Sequence, residues 1–221
     1  MSEVAAIIVA AGRGKRFGSA KQFAILKGLP LVYWSLERFE KHPEVDRIVL
    51  VIPPQEEKET FLRRYKKLQA VVPGGTERQD SVWQGFEQID PSLTGIVLVH
   101  DGVRPLLSEG LITRVIRAAR DKGAAVPGVA LDETIKEAKG EDVIKTYDRN
   151  SLYRIQTPQG FSYALLKEAL ESAVRDKFYG TDEAMLLERL GKRVVVVEGD
   201  PKNIKITNPS DLKVAEALLE T

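Results

Sequence analysis

A chain of 221 residues with 43% apolar content can build one large domain or two small ones around a sizeable core. Charged residues make up 29% but balance to a net charge of +1, which argues against a dedicated nucleic-acid binder and its basic excess. With no cysteine and only two histidines, His42 and His100, disulfides, thiolate nucleophiles, zinc–thiolate centres and poly-histidine metal sites are excluded. No charged-then-apolar leader pattern is visible, and the first apolar run is too short to span a bilayer, so the expectation is a soluble, cytoplasmic protein without membrane contact.

Taken in chain order, "AAIIVA" (5–10) is a buried strand and "LVYWSLERFEK" (31–41) has helical apolar spacing. "RIVLVIPP" (47–54) is a strand stopped by prolines, "EEKETFLRRYKKL" (56–68) a charged surface helix, and "AVV" (70–72) a short strand ending at "PGG". A helix over 78–89, a strand over 95–101, a helix over 110–123 with Gly123 as its C-cap, and a strand over 124–130 follow. This alternation, with near-continuous apolar strands, predicts an α/β fold with a parallel sheet covered on both faces. Residues 131–160 then alternate polar and apolar; "TIKEA", "KGED" and "VIKTY" predict a hairpin too polar for the core, projecting as an arm. Helices over 162–177 and 181–192, a buried strand over 193–200 and a capped helix over 208–220 complete one domain, 1–221, with an insertion at 131–155.

The turn after the first strand, "AAGRGKRFGSAKQF" (10–23), carries three glycines and four basic side chains. A glycine-rich turn there lies at a strand's carboxyl end, where α/β proteins bind ligands. A P-loop would need lysine where Gly18 is followed by Ser19, and the dinucleotide fingerprint would need glycine where Phe17 stands. A nucleotidyltransferase loop fits better. Backbone N–H groups at Gly12 and Gly14 can wrap a triphosphate, while Arg16 and Lys21 offer cations to the charge that develops on a reacting phosphorus.

Further along, "PGGTERQDSV" (73–82) is a second glycine turn, in which Gly74 and Gly75 admit a flat ligand and Thr76 and Ser81 can meet a base edge; taken alone, the segment reads more often as an ordinary turn with a helix N-cap. "VHDGVRP" (99–105) puts Asp101 at the end of a buried strand, placed either to hold Mg²⁺ through one carboxylate or to pair with Arg104. His100 is expected to be a packed structural histidine. Thr134, Thr157 and Thr181 can donate to a polyol or phosphate, and Arg149 and Lys205 can neutralise a phosphomonoester.

Read together, "AAGRGKRFG", "KQF", "GGTERQDSV", "VHDGVRP", "DETIK", "DRNSLYRIQTPQGF", "TDEA" and "EGDPKNIKIT" resemble the 2-C-methyl-D-erythritol 4-phosphate cytidylyltransferases over nearly the whole chain. The resemblance implies a Rossmann-like, three-layer nucleotidyltransferase fold with a mostly parallel sheet and a protruding β-arm that builds a homodimer. It implies CTP and a small polyol phosphate as substrates, Mg²⁺ as cofactor, and no nucleic-acid partner. Matched motif by motif, Arg16, Lys21 and Lys205 take the catalytic positions. Ala10, Ala11, Gly12 and Gly14 take the triphosphate loop; Gly75, Thr76 and Ser81 the cytosine turn; Asp101 and Gly102 the ribose and metal region. Arg104, Thr134, Arg149, Thr157, Thr181 and Lys205 fall to the polyol phosphate, with Arg149 reaching the neighbouring subunit's site. Gly102 stands where alanine is commoner, an exchange expected to be harmless, and Thr76 where some members carry aspartate.

The implied reaction is in-line attack by the substrate's phosphate on the α-phosphorus of CTP. That nucleophile is already ionised, in keeping with a chain that offers no evident His–Asp base pair. Ribitol-5-phosphate cytidylyltransferases share the nucleotide motifs; "DRNSLYRIQTPQGF" favours the methylerythritol enzymes.

Overall fold

The computed structural model describes residues 2–12, 14, 17–56 and 58–220. Arg16 lies outside the described residues. The first strand, β1 (Glu3–Val9), runs through the middle of the sheet, with Val4 to Ile8 fully buried. A 3₁₀ turn at Lys21–Phe23 and a small ladder of β2 (Ile25–Leu26) and β3 (Leu29–Pro30) lead into α1 (Leu31–Lys41). Strand and helix then alternate through β4 (Arg47–Ile52), α2 (Lys58–Leu62), β5 (Leu68–Pro73), α3 (Arg78–Phe86), β6 (Thr94–Asp101), α4 (Glu109–Lys122) and β7 (Ala124–Ala130). The second part contains β8 (Lys136–Lys139), β9 (Asp142–Thr146), β10 (Tyr153–Ile155), β11 (Gln159–Ser162), α5 (Tyr163–Arg175), α6 (Glu183–Arg189), β12 (Val195–Glu198) and α7 (Pro209–Leu219).

Among the described residues the main sheet has eight strands, in the order β5-β4-β1-β6-β11-β7-β10, with β12 on β7. Side chains alternate across a strand, and β1 shows the result. Val4, Ala6 and Ile8 join the core under α1, α2 and α4, whereas Ala5 and Ile7 join the core under α3, α5 and α6. That double burial explains the unbroken apolar run and gives three layers. On the second face α3 approaches β1 so closely that a Cβ on Gly85 would stand 2.6 Å from Ile7 Cγ2 and 3.0 Å from Val51 Cγ2. α7, started by an Asn208–Asp211 capping box and Pro209, closes a smaller cluster around Leu26, Leu31 and Ile206. α4 ends on Gly123 at φ +87°, as expected.

Two expectations need correction. The helix expected over 56–68 is only α2: its stretch buries little beyond Phe61, so the chain turns and gives Tyr65 and Leu68 to the core. The sheet is mostly parallel, as expected, with β10 and β11 as antiparallel strands within it. Ala125 pairs with Gly160 on one side and Val195 on the other, so β11 and β10 share one edge of β7 and β12 takes the opposite edge. Between β10 and β11 lies a break at 156–158, where the Thr157–Pro158 peptide is cis. The expected hairpin forms as β8–β9, exposed throughout and in a two-stranded sheet of its own. β12, expected to be buried, is half-exposed, with Val196 48% accessible. No described helix is long and apolar enough to cross a membrane.

Candidate active site

From β1 the chain moves to β4 and β5 on one side and to β6 on the other. The carboxyl ends of β1 and β6 therefore face each other at the point where the order reverses, the place where open α/β sheets bind ligands. Val9 pairs with Asp101 there, and the Ala10 N–H donates to Val51 O (2.7 Å). A cleft of about 180 Å³ opens above these ends. Its walls bring together Ala10, Ala11, Gly12, Lys21, Gly75, Thr76, Ser81, Asp101 and Lys205, all expected from the sequence.

The first glycine turn is shaped by Gly14, at φ +62°, whose carbonyl accepts from the N–H groups of Phe17 (2.8 Å) and Gly18 (3.0 Å). Lys21 follows in the 3₁₀ turn and donates to Ile206 O at 3.0 Å, so its ammonium lies beside the segment that carries Lys205. On the opposite wall, Ser81 is buried in α3; its hydroxyl accepts from Gly75 N–H (3.2 Å) and donates to Glu77 O (3.1 Å). It thus pins the second glycine turn as well as lining the cleft.

Asp101 forms the floor and is 6% exposed. Its Oδ2 meets Lys205 Nζ at 2.7 Å and Arg104 Nε at 3.9 Å, and its Oδ1 accepts from Arg78 Nε at 3.0 Å. Burial alone would raise its pKa, but Arg78, Lys205 and Arg104 together outweigh that and hold the carboxyl well below the usual carboxylate range. Arg78, inside "GGTERQDSV" yet not singled out by sequence reasoning, also donates from Nη1 to Glu183 Oε1 at 2.7 Å. Burial would lower its pKa, but the Glu183 and Asp101 carboxylates overcome this and raise it.

Behind the floor, Thr157 is buried, and its hydroxyl bonds the Asp101 N–H (3.1 Å) and His100 Nδ1 (3.1 Å). It acts on the backbone of Asp101 from behind and does not line the cleft. His100 is fully buried against Phe39, with its pKa pushed down by burial to about 3, so its ring is neutral. Arg104 is also buried and donates to Asn203 O at 2.9 Å, while Asn203 Nδ2 donates to Thr157 O at 2.8 Å. Asn203 and Gln156, two further residues missed in the sequence, tie the segment bearing Lys205 to the 156–158 break. Gly102 is packed tightly enough that an alanine Cβ would lie 3.1 Å from Ala10 Cβ and 3.2 Å from Ile8 Cγ2. An alanine in place of Gly102 would therefore need its neighbours to give way by a few tenths of an ångström.

Thr134, Arg149 and Thr181 are exposed and lie outside the cleft lining. Arg149 sits on the excursion that includes the hairpin and donates to Asp132 O. Among the described residues, no group of three or more histidine, aspartate or glutamate side chains converges on a metal position.

A glycine-rich first turn facing an ionised carboxylate at the switch point, with lysines beside both, defines an α/β nucleotidyltransferase. The chain belongs to the family described as IspD, 2-C-methyl-D-erythritol 4-phosphate cytidylyltransferase, whose model matches residues 4–221. It is 46% identical over 222 residues to the 2-C-methyl-D-erythritol 4-phosphate cytidylyltransferase of Geobacillus kaustophilus, covering 97% of this chain and 96% of that one. It is 45% identical over 229 residues to that of Pelotomaculum thermopropionicum, covering 100% and 95%. The crystal structure of the Thermus thermophilus cytidylyltransferase superposes with a TM-score of 0.83 at 38% identity, covering 99% and 100% of the chains. The 4-diphosphocytidyl-2C-methyl-D-erythritol synthase of Anaerococcus prevotii gives 0.89 at 33%, covering 100% and 97%.

Proposed function

We propose that the chain transfers CMP from CTP to 2-C-methyl-D-erythritol 4-phosphate, releasing pyrophosphate. The observation that carries this reading is the Asp101–Lys205 pair, 2.7 Å apart, on the floor between the two glycine turns of a chain in this family. The backbone at Ala10, Ala11, Gly12 and Gly14 receives the triphosphate. Gly75, Thr76 and Ser81 receive the cytosine, and Asp101 with Gly102 the ribose.

The polyol phosphate brings an ionised oxygen to the α-phosphorus, in line with the departing pyrophosphate, so no side chain has to remove a proton. Positioning and charge stabilisation supply the catalysis. Lys21, with Arg16, offsets charge at the α-phosphate, and Lys205 faces the incoming phosphate, with the buried Arg104 adding positive charge from beside Asp101. A divalent cation such as Mg²⁺, when bound, would neutralise triphosphate charge, and Asp101 is the residue that would hold it.

Thr134, Arg149 and Thr181 are too exposed to enclose a substrate within one copy. Support for a homodimer comes from the 131–155 insertion, where Val143, Ile144, Tyr147 and Tyr153 are exposed apolar groups. In that arrangement Arg149 completes the polyol-phosphate site of the partner.

Pyrophosphate release with CTP, Mg²⁺ and either methylerythritol phosphate or ribitol phosphate tests the assignment. Turnover is expected with the first substrate. Product from ribitol phosphate alone would overturn it.

A further inference from the structure

The reaction makes no direct use of Arg78 or Glu183, yet Arg78 lines the cleft beside Asp101 and Glu183 is buried behind it. Glu183 opens α6 and is 1% exposed. A carboxylate so deeply buried is costly unless it is paired, and among the described residues its ion-pair partner is Arg78, whose Nη1 donates to both oxygens at 2.7 and 3.0 Å. The donors of a guanidinium are rigid relative to one another. Fixing Nη1 on Glu183 therefore fixes Nε, which donates to Asp101 Oδ1 at 3.0 Å.

The anchor is itself braced. The next residue, Gln79, donates to Phe178 O (2.9 Å) and accepts from Gly180 N–H (3.0 Å), holding the segment that leads into α6. From β11, Gln159 Nε2 donates to Asp182 Oδ2 at 2.7 Å. Lys205 is built differently. Its side chain is 38% exposed on a flexible stem, and it meets only the other oxygen, Oδ2.

We propose that Arg78, clamped by Glu183, is a positioning residue that holds the Asp101 carboxylate by Oδ1, so that Lys205 can exchange Oδ2 for a substrate phosphate without the carboxylate turning. This rests on the cytidylyl-transfer reading and adds a division of labour to it. One cation is immobile and orients; the other is mobile and transfers its charge to the ligand.

The test compares Arg78→Lys, Arg78→Gln and Glu183→Gln with the parent in steady-state turnover and in calorimetric titration with CTP and Mg²⁺, with thermal melting to report folding. Arg78→Lys keeps the charge but cannot bridge two carboxylates, so kcat should fall roughly 100-fold, as for a misplaced catalytic group. It should fare no better than Arg78→Gln, and KM for the polyol phosphate should stay near the parent value. Glu183→Gln, which touches no substrate, should lower kcat roughly tenfold by loosening the clamp.

Parent-like turnover in Arg78→Lys would overturn the proposal, as would a Glu183→Gln variant that loses melting temperature but no kcat. If the Arg78 variants do not fold, Glu183→Gln decides alone. A parent that transfers no cytidylyl group refutes the functional reading instead. The titration then still decides the positioning role: weakened CTP binding in the variants supports it, and unchanged binding refutes it.

Discussion

Gly14 shows how narrowly one residue can be specified. At φ +62° it occupies the left-handed region, and a Cβ there would stand 1.8 Å from Ser19 O. Gly14→Ala should therefore open the turn and weaken CTP binding at least tenfold by titration, an order suggested by the 1–3 kcal/mol typical of local backbone strain, while the melting temperature moves little. The glycine and its neighbours were legible in the sequence because a phosphate-wrapping turn needs glycines at close, fixed spacing. Arg78 was not legible, although it lies within a segment that was noticed. Its meaning depends on Glu183, 105 positions further on, and no local pattern records that pairing. The one available hint was that each residue opens a helix, one basic and one acidic. Thr157 misled in the other direction, since a hydroxyl in a polar segment suggests a ligand contact but here faces inward to His100 and the Asp101 N–H.

Elements were legible where apolar periodicity was long and lost where polar residues do structural work. β1, β4, β6, β7 and α4 are close to their expected positions because each carries an unbroken apolar run or stripe. β11 was missed because "QTPQGF" looks like a binding loop; its Gln159 is buried, and satisfied by Asp182 and the Ala184 N–H. α2 was overextended because lysine and glutamate favour helix on a surface, a preference that the burial of Tyr65 overrides. α3 supplies a test at this scale. Its Gly85 lets the helix settle on β1 and β4, so Gly85→Ala should cost about 1–3 kcal/mol in urea unfolding through overpacking, despite alanine's better helix propensity. An unchanged or raised midpoint would show that the α3–sheet contact is looser than the 2.6 Å approach implies.

Across the whole molecule, the balanced charge conceals a pH dependence carried by the two histidines. Burial lowers the pKa of His42, outweighing the nearby Glu109 and Glu44, and pushes His100 down to about 3. The Glu44 N–H donates to His42 Nδ1 (3.2 Å), so the neutral ring donates from Nε2 to Thr113 Oγ1 (3.0 Å). The unfolded chain takes up protons near the ordinary value of 6.5, whereas the folded chain does not. Stability is thus fully present above that value and is lost as pH falls toward the folded values, by up to about 1.4 kcal/mol per pH unit for each histidine. Urea unfolding at pH 7, 6 and 5 should show the decline; a flat profile would mean that these rings charge within the fold. The α/β class was legible at this scale from alternation alone. The antiparallel return of β10 and β11 was not, because it depends on which edge of β7 they take.

The chain leaves the main sheet at Leu131 and rejoins it at Leu152, two residues whose backbones bond each other (Leu131 N–H to Leu152 O, 3.3 Å). The excursion between them is closed at its base, and its hairpin makes no ladder with the sheet among the described residues. Variation there is consequently uncoupled from the strand register that sets Asp101 opposite Val9. Over evolutionary time the hairpin can lengthen, shorten or change its face, and the reacting floor can be inherited unaltered beneath it.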